Sequence, residues 1–179
     1  SGEPARLRRA LETLKAAREV GSKDRRVVYV VNQNLRATAE RLLEQVKGQG
    51  ERRVLGELKA LSPLLADDKQ PGFQAFAWSM VTGIRIDAGD SEGAVKASNR
   101  ALGFVIPPSE AQLAQVIRQN HLGAMRLAVQ SRSRRGDWEG AKALLTKMRN
   151  FPGGAQLAAE DDLHAARLVS DHRIGVRDY

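Results

Sequence analysis

Two hexapeptides 47 residues apart constrain this chain more than any other feature. Gly89-Asp90-Ser91-Glu92-Gly93-Ala94 and Gly136-Asp137-Trp138-Glu139-Gly140-Ala141 agree at five of six positions. The likeness extends outward: Trp78 and Met125 each precede the shared Ala by 16 residues, and Ala101 and Met148 each follow it by 7. Pro107 closes one unit and Pro152 the other. A Gly-Asp step before an apolar-periodic stretch marks a helix boundary, because glycine ends one helix and the aspartate side chain caps the next. Each copy is therefore a helix, a turn and a helix. One such pair cannot cover its own apolar face, so the copies must stack.

The spacing of apolar residues is helical elsewhere too. Val28, Val31, Leu35, Ala39, Leu42 and Val46 fall on one helical stripe, which passes through a valine run that alone would read as a strand. Periodicity and punctuation predict helices over residues 4–20, 24–47, 51–61, 73–88, 90–102, 109–135, 137–149 and 156–169, an all-α chain without a convincing strand. Asn32 and Asn34 are expected to loosen the second helix, and Asn120 marks a point where the sixth could break. Pro63 ends the third. Ser109 to Gln112 reads as a capping box opening the sixth.

The stretch Trp78 to Pro107 resembles a tetratricopeptide repeat. It has a large residue early in the first helix (Trp78), small residues at Thr82-Gly83, glycine at the turn (Gly89), then Ala94 and Ala101 on the second helix. In the Met125 to Pro152 copy, Met125, Ala128-Val129 and Met148 take those places. A weaker unit runs from Ala39 through Gly50 and Leu55 to Ser62-Pro63. The turn glycines are 39 and 47 residues apart instead of the family's 34, so about 13 extra residues precede the last copy as additional helix. The resemblance implies a short α-solenoid, with an irregular helical bundle as the alternative. It divides the chain into 1–72 (helices with one degenerate repeat), 73–108 and 109–155 (repeats), and 156–179 (capping helix and tail).

Composition narrows the chemistry. Among 179 residues there is no Cys, which removes disulfides, cysteine-bearing metal sites and thiol nucleophiles. The longest apolar run, Val27 to Val31, is five residues and cannot span a bilayer. Ser1-Gly2-Glu3-Pro4 lacks an export pattern and reads as a cut within a longer protein; the compartment stays open. No glycine-rich phosphate loop, nucleophile elbow or paired-carboxylate signature occurs, and Asp67-Asp68 and Asp161-Asp162 are sequence neighbours that diverge on a helix. Glu160, His164 and His172 could share a helix face toward a metal, but solvated polar residues near a chain end are the simpler reading. His121 stands alone. Asp90 and Asp137 are explained by capping. The expectation is a non-enzymatic chain with no cofactor and no metal.

Twenty-nine basic side chains against twenty-one acidic leave a charge of +8. The excess gathers in two stretches: seven basic against two acidic residues over 126–149, and eight against four over 1–30. Such clusters can attract nucleic acid, acidic lipid or acidic protein, although few aromatics lie nearby to stack on bases. The repeat resemblance implies a concave groove lined by the first helix of each pair. Its residues would be Phe76, Ser79, Gly83 and Ile86 in one copy, and Arg126, Gln130, Ser133 and Arg134 in the other. That mixture suits a protein segment with an apolar anchor and carboxylates. The expected function is a protein-interaction module, a scaffold, chaperone or assembly factor. The alternatives are a basic nucleic-acid-binding protein, or a helical domain attached to an enzyme.

Overall fold

A computed structural model describes residues 2–21, 23–65, 71–163 and 166 of the chain. Its helices are α1 (Glu3–Val20), α2 (Arg25–Lys47), α3 (Glu51–Leu65), α4 (Pro71–Asp87), α5 (Ser91–Leu102), α6 (Ala111–Arg134) and α7 (Trp138–Arg149). The chain is helical again over 155–163, called α8 below. No strand occurs among the described residues, so the fold is all-α.

The first seven predicted helices are found, with local differences, and the eighth over 155–163; most of its expected remainder, to 169, lies outside the described residues. The α2 stripe is buried from Val31 to Val46, and this packing holds the helix unbroken through Asn32 and Asn34. Helix α3 continues two residues past Pro63, although proline has no N–H to give the carbonyl four residues back and that one helical hydrogen bond is lost. The capping box does not form. Pro108–Glu110 is a 3-10 turn, and the start of α6 has no side-chain cap. Helix α6 also runs uninterrupted past Asn120, held by buried Ile117, His121, Leu122 and Ala124 on either side.

The chain folds back on itself at tight turns, pairing α2 with α3, α4 with α5 and α6 with α7, while the first helices α2, α4 and α6 lie side by side. Gly89 and Gly136 sit at φ 71° and 77°, a left-handed conformation that a side chain would strain. Asp90 and Asp137 then accept backbone hydrogen bonds from Gly93 and Gly140, each at 2.9 Å. Gly93 and Gly140 leave no room for a Cβ, which would overlap the capping carboxylates at 1.9 and 2.2 Å. Three of the five shared residues of the repeated hexapeptide are thus accounted for by this turn, and the shared alanine by its burial between helices. The shared glutamates differ: among the described residues Glu139 meets only Lys142 of its own helix, at 3.5 Å, whereas Glu92 belongs to a longer-range contact.

That contact is an arginine clasp in the last turn of each first helix. Arg85 of α4 donates to Glu51 of α3 at 2.7 and 2.5 Å and to the Gly93 carbonyl at 2.9 Å. Arg132 of α6 donates to Glu92 of α5 at 2.9 and 3.2 Å and to the Gly140 carbonyl at 3.4 Å. Each arginine thereby ties its own hairpin to the preceding one. Hydrogen bonding to Glu51 raises the Arg85 pKa above that of an ordinary arginine, outweighing desolvation.

Apolar packing follows the same division. Residues of α1 to α5, among them Leu35, Leu42, Val46, Val54, Phe73 and Val81, form the larger cluster. Met125, Val129, Leu145 and Met148 of α6 and α7 join Ala158 of α8 in a second. Ala94 and Ala141, the shared alanines, are 0% and 2% exposed. Trp78 is half-buried, its ring faced by the Arg100 guanidinium at 4.6 Å.

Candidate functional site

A cleft of about 700 Å³ opens on the side where α2, α4 and α6 run together. Helix α4 forms its floor with Phe76, Ser79, Met80 and Gly83. One wall is the charged face of α2, where Arg36, Glu40, Glu44 and Lys47 recur at steps of 4, 4 and 3, one side of a helix. The opposite wall is the 3-10 turn and first half of α6, with Glu110, Leu113, Val116 and Asn120. That wall is built largely from the extra residues preceding the second copy.

The end of the cleft near the start of α4 is closed by an ion-pair clamp. Arg36 makes a two-pronged hydrogen bond to Glu110, both contacts 2.5 Å, and donates its Nε to Glu40 at 2.7 Å. The clamp rests against Gly72, where a Cβ would meet the Glu110 carboxylate at 2.1 Å. Donation to Glu110 raises the Arg36 pKa further above the usual arginine range than burial lowers it. With its guanidinium engaged on all three nitrogens, Arg36 is structural charge and not a free cation. At the far end, Glu44, Lys47 and Asp87 make no side-chain ion pair or hydrogen bond among the described residues.

The structure divides the six residues expected to bind a partner. Phe76 and Ser79 line the cleft, with Gly83 between Ser79 and Asp87. Ser79 is 4% exposed and its Oγ accepts from Asn120 Nδ2 at 2.7 Å, so it links α4 to α6 at the floor. Ile86 lies outside the lining, its Cδ1 3.7 Å from the position a Cβ on Gly123 would take. Arg126, Gln130 and Arg134 are also outside it. Arg126 follows Asn120 by six residues, about 120° around the helix, and its Nε meets buried Asp161 of α8 at 2.9 Å, with Glu160 at 3.6 Å from Nη2. Gln130 is half-buried, and exposed Arg134 lies some four turns, about 21 Å, beyond Asn120. Ser133, also placed in the groove by the repeat spacing, is buried.

The expected cationic half of the groove is therefore not in this cleft. Its lining holds four carboxylates (Glu40, Glu44, Asp87, Glu110) against two cations (Arg36, Lys47), the opposite sign to the chain as a whole. The apolar stripe of α2 does not by itself point to this wall. The charged stripe at 36, 40, 44 and 47 on the other face was the available signal.

Outside the cleft, Ser98 Oγ and His121 Nδ1 lie 2.9 Å apart in the interior, and Ser98 Oγ is also 2.9 Å from the Val95 carbonyl. The His121 ring packs on Phe151 with centroids 4.8 Å apart, and burial lowers its pKa below 6.5. Ser98 and His121 are 1% and 6% exposed, so this pair joins α5 to α6 with no route for a substrate. No group of three His, Asp or Glu side chains is placed to hold a metal among the described residues. Glu160 instead faces Arg126; His164 and His172, like Asp67 and Asp68, lie outside the described residues. No helix among the described residues is long and apolar enough to cross a membrane.

Compared with protein-family models, curated proteins and solved structures, the chain gives no significant match.

Proposed function

We propose that this chain is a non-enzymatic protein-interaction module, a short tetratricopeptide-like solenoid, that holds a segment of another protein in the α2/α4/α6 cleft. The observation that carries the reading is the cleft itself: an apolar floor of Phe76 and Met80, an apolar α6 wall of Leu113 and Val116, and a charged rim. From Phe76 to Asp87 the floor runs about 16 Å, the reach of roughly five extended residues. Apolar anchoring with a polar rim is how grooves of side-by-side helices take extended or helical segments. The two hairpin copies and their arginine clasps support the solenoid reading.

The nucleic-acid alternative is weakened by how the basic stretch 126–149 is spent. Arg126, Arg132, Arg135, Lys142 and Arg149 each have a carboxylate within 4 Å, leaving fewer cations for phosphates.

The test uses a plug. A Cβ at Gly83 meets nothing within 4 Å, so Gly83→Phe should fill the cleft while improving on glycine's poor helix propensity. Immobilised wild type and an Arg134→Glu control should retain the same protein from the native source, and Gly83→Phe should lose it with its melting temperature unchanged. Equal capture by all three would overturn the reading.

A further inference from the structure

We infer that the segment held in the cleft is cationic, carrying Lys or Arg beside an apolar residue; this rests on the cleft being a protein-binding site. The chain carries +8 overall, yet its cleft concentrates four carboxylates against two cations. The pairing sharpens the imbalance. Glu40 and Glu110 share the single guanidinium of Arg36, which leaves one negative charge unbalanced at the closed end. At the open end Glu44 and Asp87 face one lysine, Lys47, and none of the three is engaged in an ion pair or hydrogen bond among the described residues.

At the contacts between helices outside the cleft, Glu51, Glu57, Glu92 and Asp161 each meet an arginine. Glu44 on the α2 wall and Asp87 at the end of the α4 floor are left open, at a distance from Phe76 that one short segment covers. An incoming Lys or Arg would find carboxylate acceptors already exposed there. An incoming carboxylate would meet like charges and an Arg36 whose positive charge is already shared by two carboxylates. The ligand chemistry is therefore an apolar side chain near the Phe76 end and a cation two to four residues away, toward Asp87.

The experiment selects a random dodecapeptide phage library on the immobilised wild-type chain and counter-selects on Gly83→Phe. Peptides from the surviving pool are synthesised and titrated by fluorescence anisotropy against wild type and the Glu44→Gln/Asp87→Asn variant. Both replaced side chains are exposed, so an unchanged urea midpoint will verify the fold of the variant. The inference expects sequences enriched in Lys or Arg beside an apolar residue, binding that weakens with salt, and a loss of about tenfold in the double variant. Acidic or neutral Gly83-dependent peptides would overturn the charge assignment while leaving the cleft as the site. Absence of any Gly83-dependent peptide would overturn the cleft reading and this inference with it. A dimer of the chain alone that dissociates on Gly83→Phe, seen by sedimentation, would give the cleft to a second copy and likewise overturn it.

Discussion

The two hairpins α4/α5 and α6/α7 share the contacts that form their turns and differ on the face turned toward the next first helix. Both have a left-handed glycine, an aspartate cap at 2.9 Å, an arginine clasp and a buried alanine at the crossing. Ser79 and Arg126 occupy equivalent positions, 47 residues apart, and both reach the next first helix, Ser79 to Asn120 and Arg126 to Asp161. In the first hairpin that link is short and neutral, and the extra turns of α6 rise beyond it as a wall, leaving a cleft. In the second an ion pair occupies the same place. The turn chemistry fixes how helices pair, and the neighbour-facing positions decide whether a site remains between hairpins.

The largest effects should fall equally on both copies. Ala94→Leu and Ala141→Leu each insert volume into a closed crossing and should each cost roughly 1 to 3 kcal/mol by urea denaturation. A neutral result at both positions would remove the packing basis of the repeat. Next, the links should separate the hairpins: Arg126→Ala, which takes a charged partner from buried Asp161, should cost about 2 kcal/mol, and Ser79→Ala about 1 kcal/mol. Equal costs would mean that the two links are energetically alike despite their chemistry. Arg85→Ala and Arg132→Ala remove partly exposed clasps, and each should cost about 1 kcal/mol or less once solvent screening is counted.

A pH titration addresses the junction of the two hairpins, where His121 sits. Burial lowers its folded pKa below 6.5, so the unfolded chain takes up the proton first as pH falls. The stability contributed by neutral His121 is complete above about pH 6.5 and declines below it until the folded histidine also protonates. Urea midpoints between pH 7 and 5 should fall for wild type and flatten for His121→Asn. Parallel curves would assign the acid sensitivity to other groups.

Much of this architecture was legible because it depends on local chemistry. Helix positions followed from 3.6-residue spacing, and the Gly-Asp turns and their caps from residues adjacent in sequence. The hexapeptide copy marked the pairing of helices directly. What escaped depends on partners far apart: Arg36 and Glu110 are separated by 74 residues, and any of several carboxylates could have faced that arginine. The capping box is missing for a register reason: Ser109 lies inside the 3-10 turn and Glu110 takes the N-cap position of α6, one residue later than the box requires. Of the residues expected at the site, Phe76 and Ser79 line the cleft on α4. Arg126 was placed in the equivalent position of its own copy, but that position looks onto α8, a neighbour the repeat spacing did not reveal.

Amide chemical-shift mapping with a library-selected dodecapeptide tests most directly whether the cleft walled by the extra residues of α6 is the binding site. The largest shifts are expected at Phe76, Gly83, Leu113, Val116 and Asn120, and they should vanish in Gly83→Phe. Shifts centred on Arg134, Lys142 and Lys147 would instead place binding on the basic surface and contradict the account.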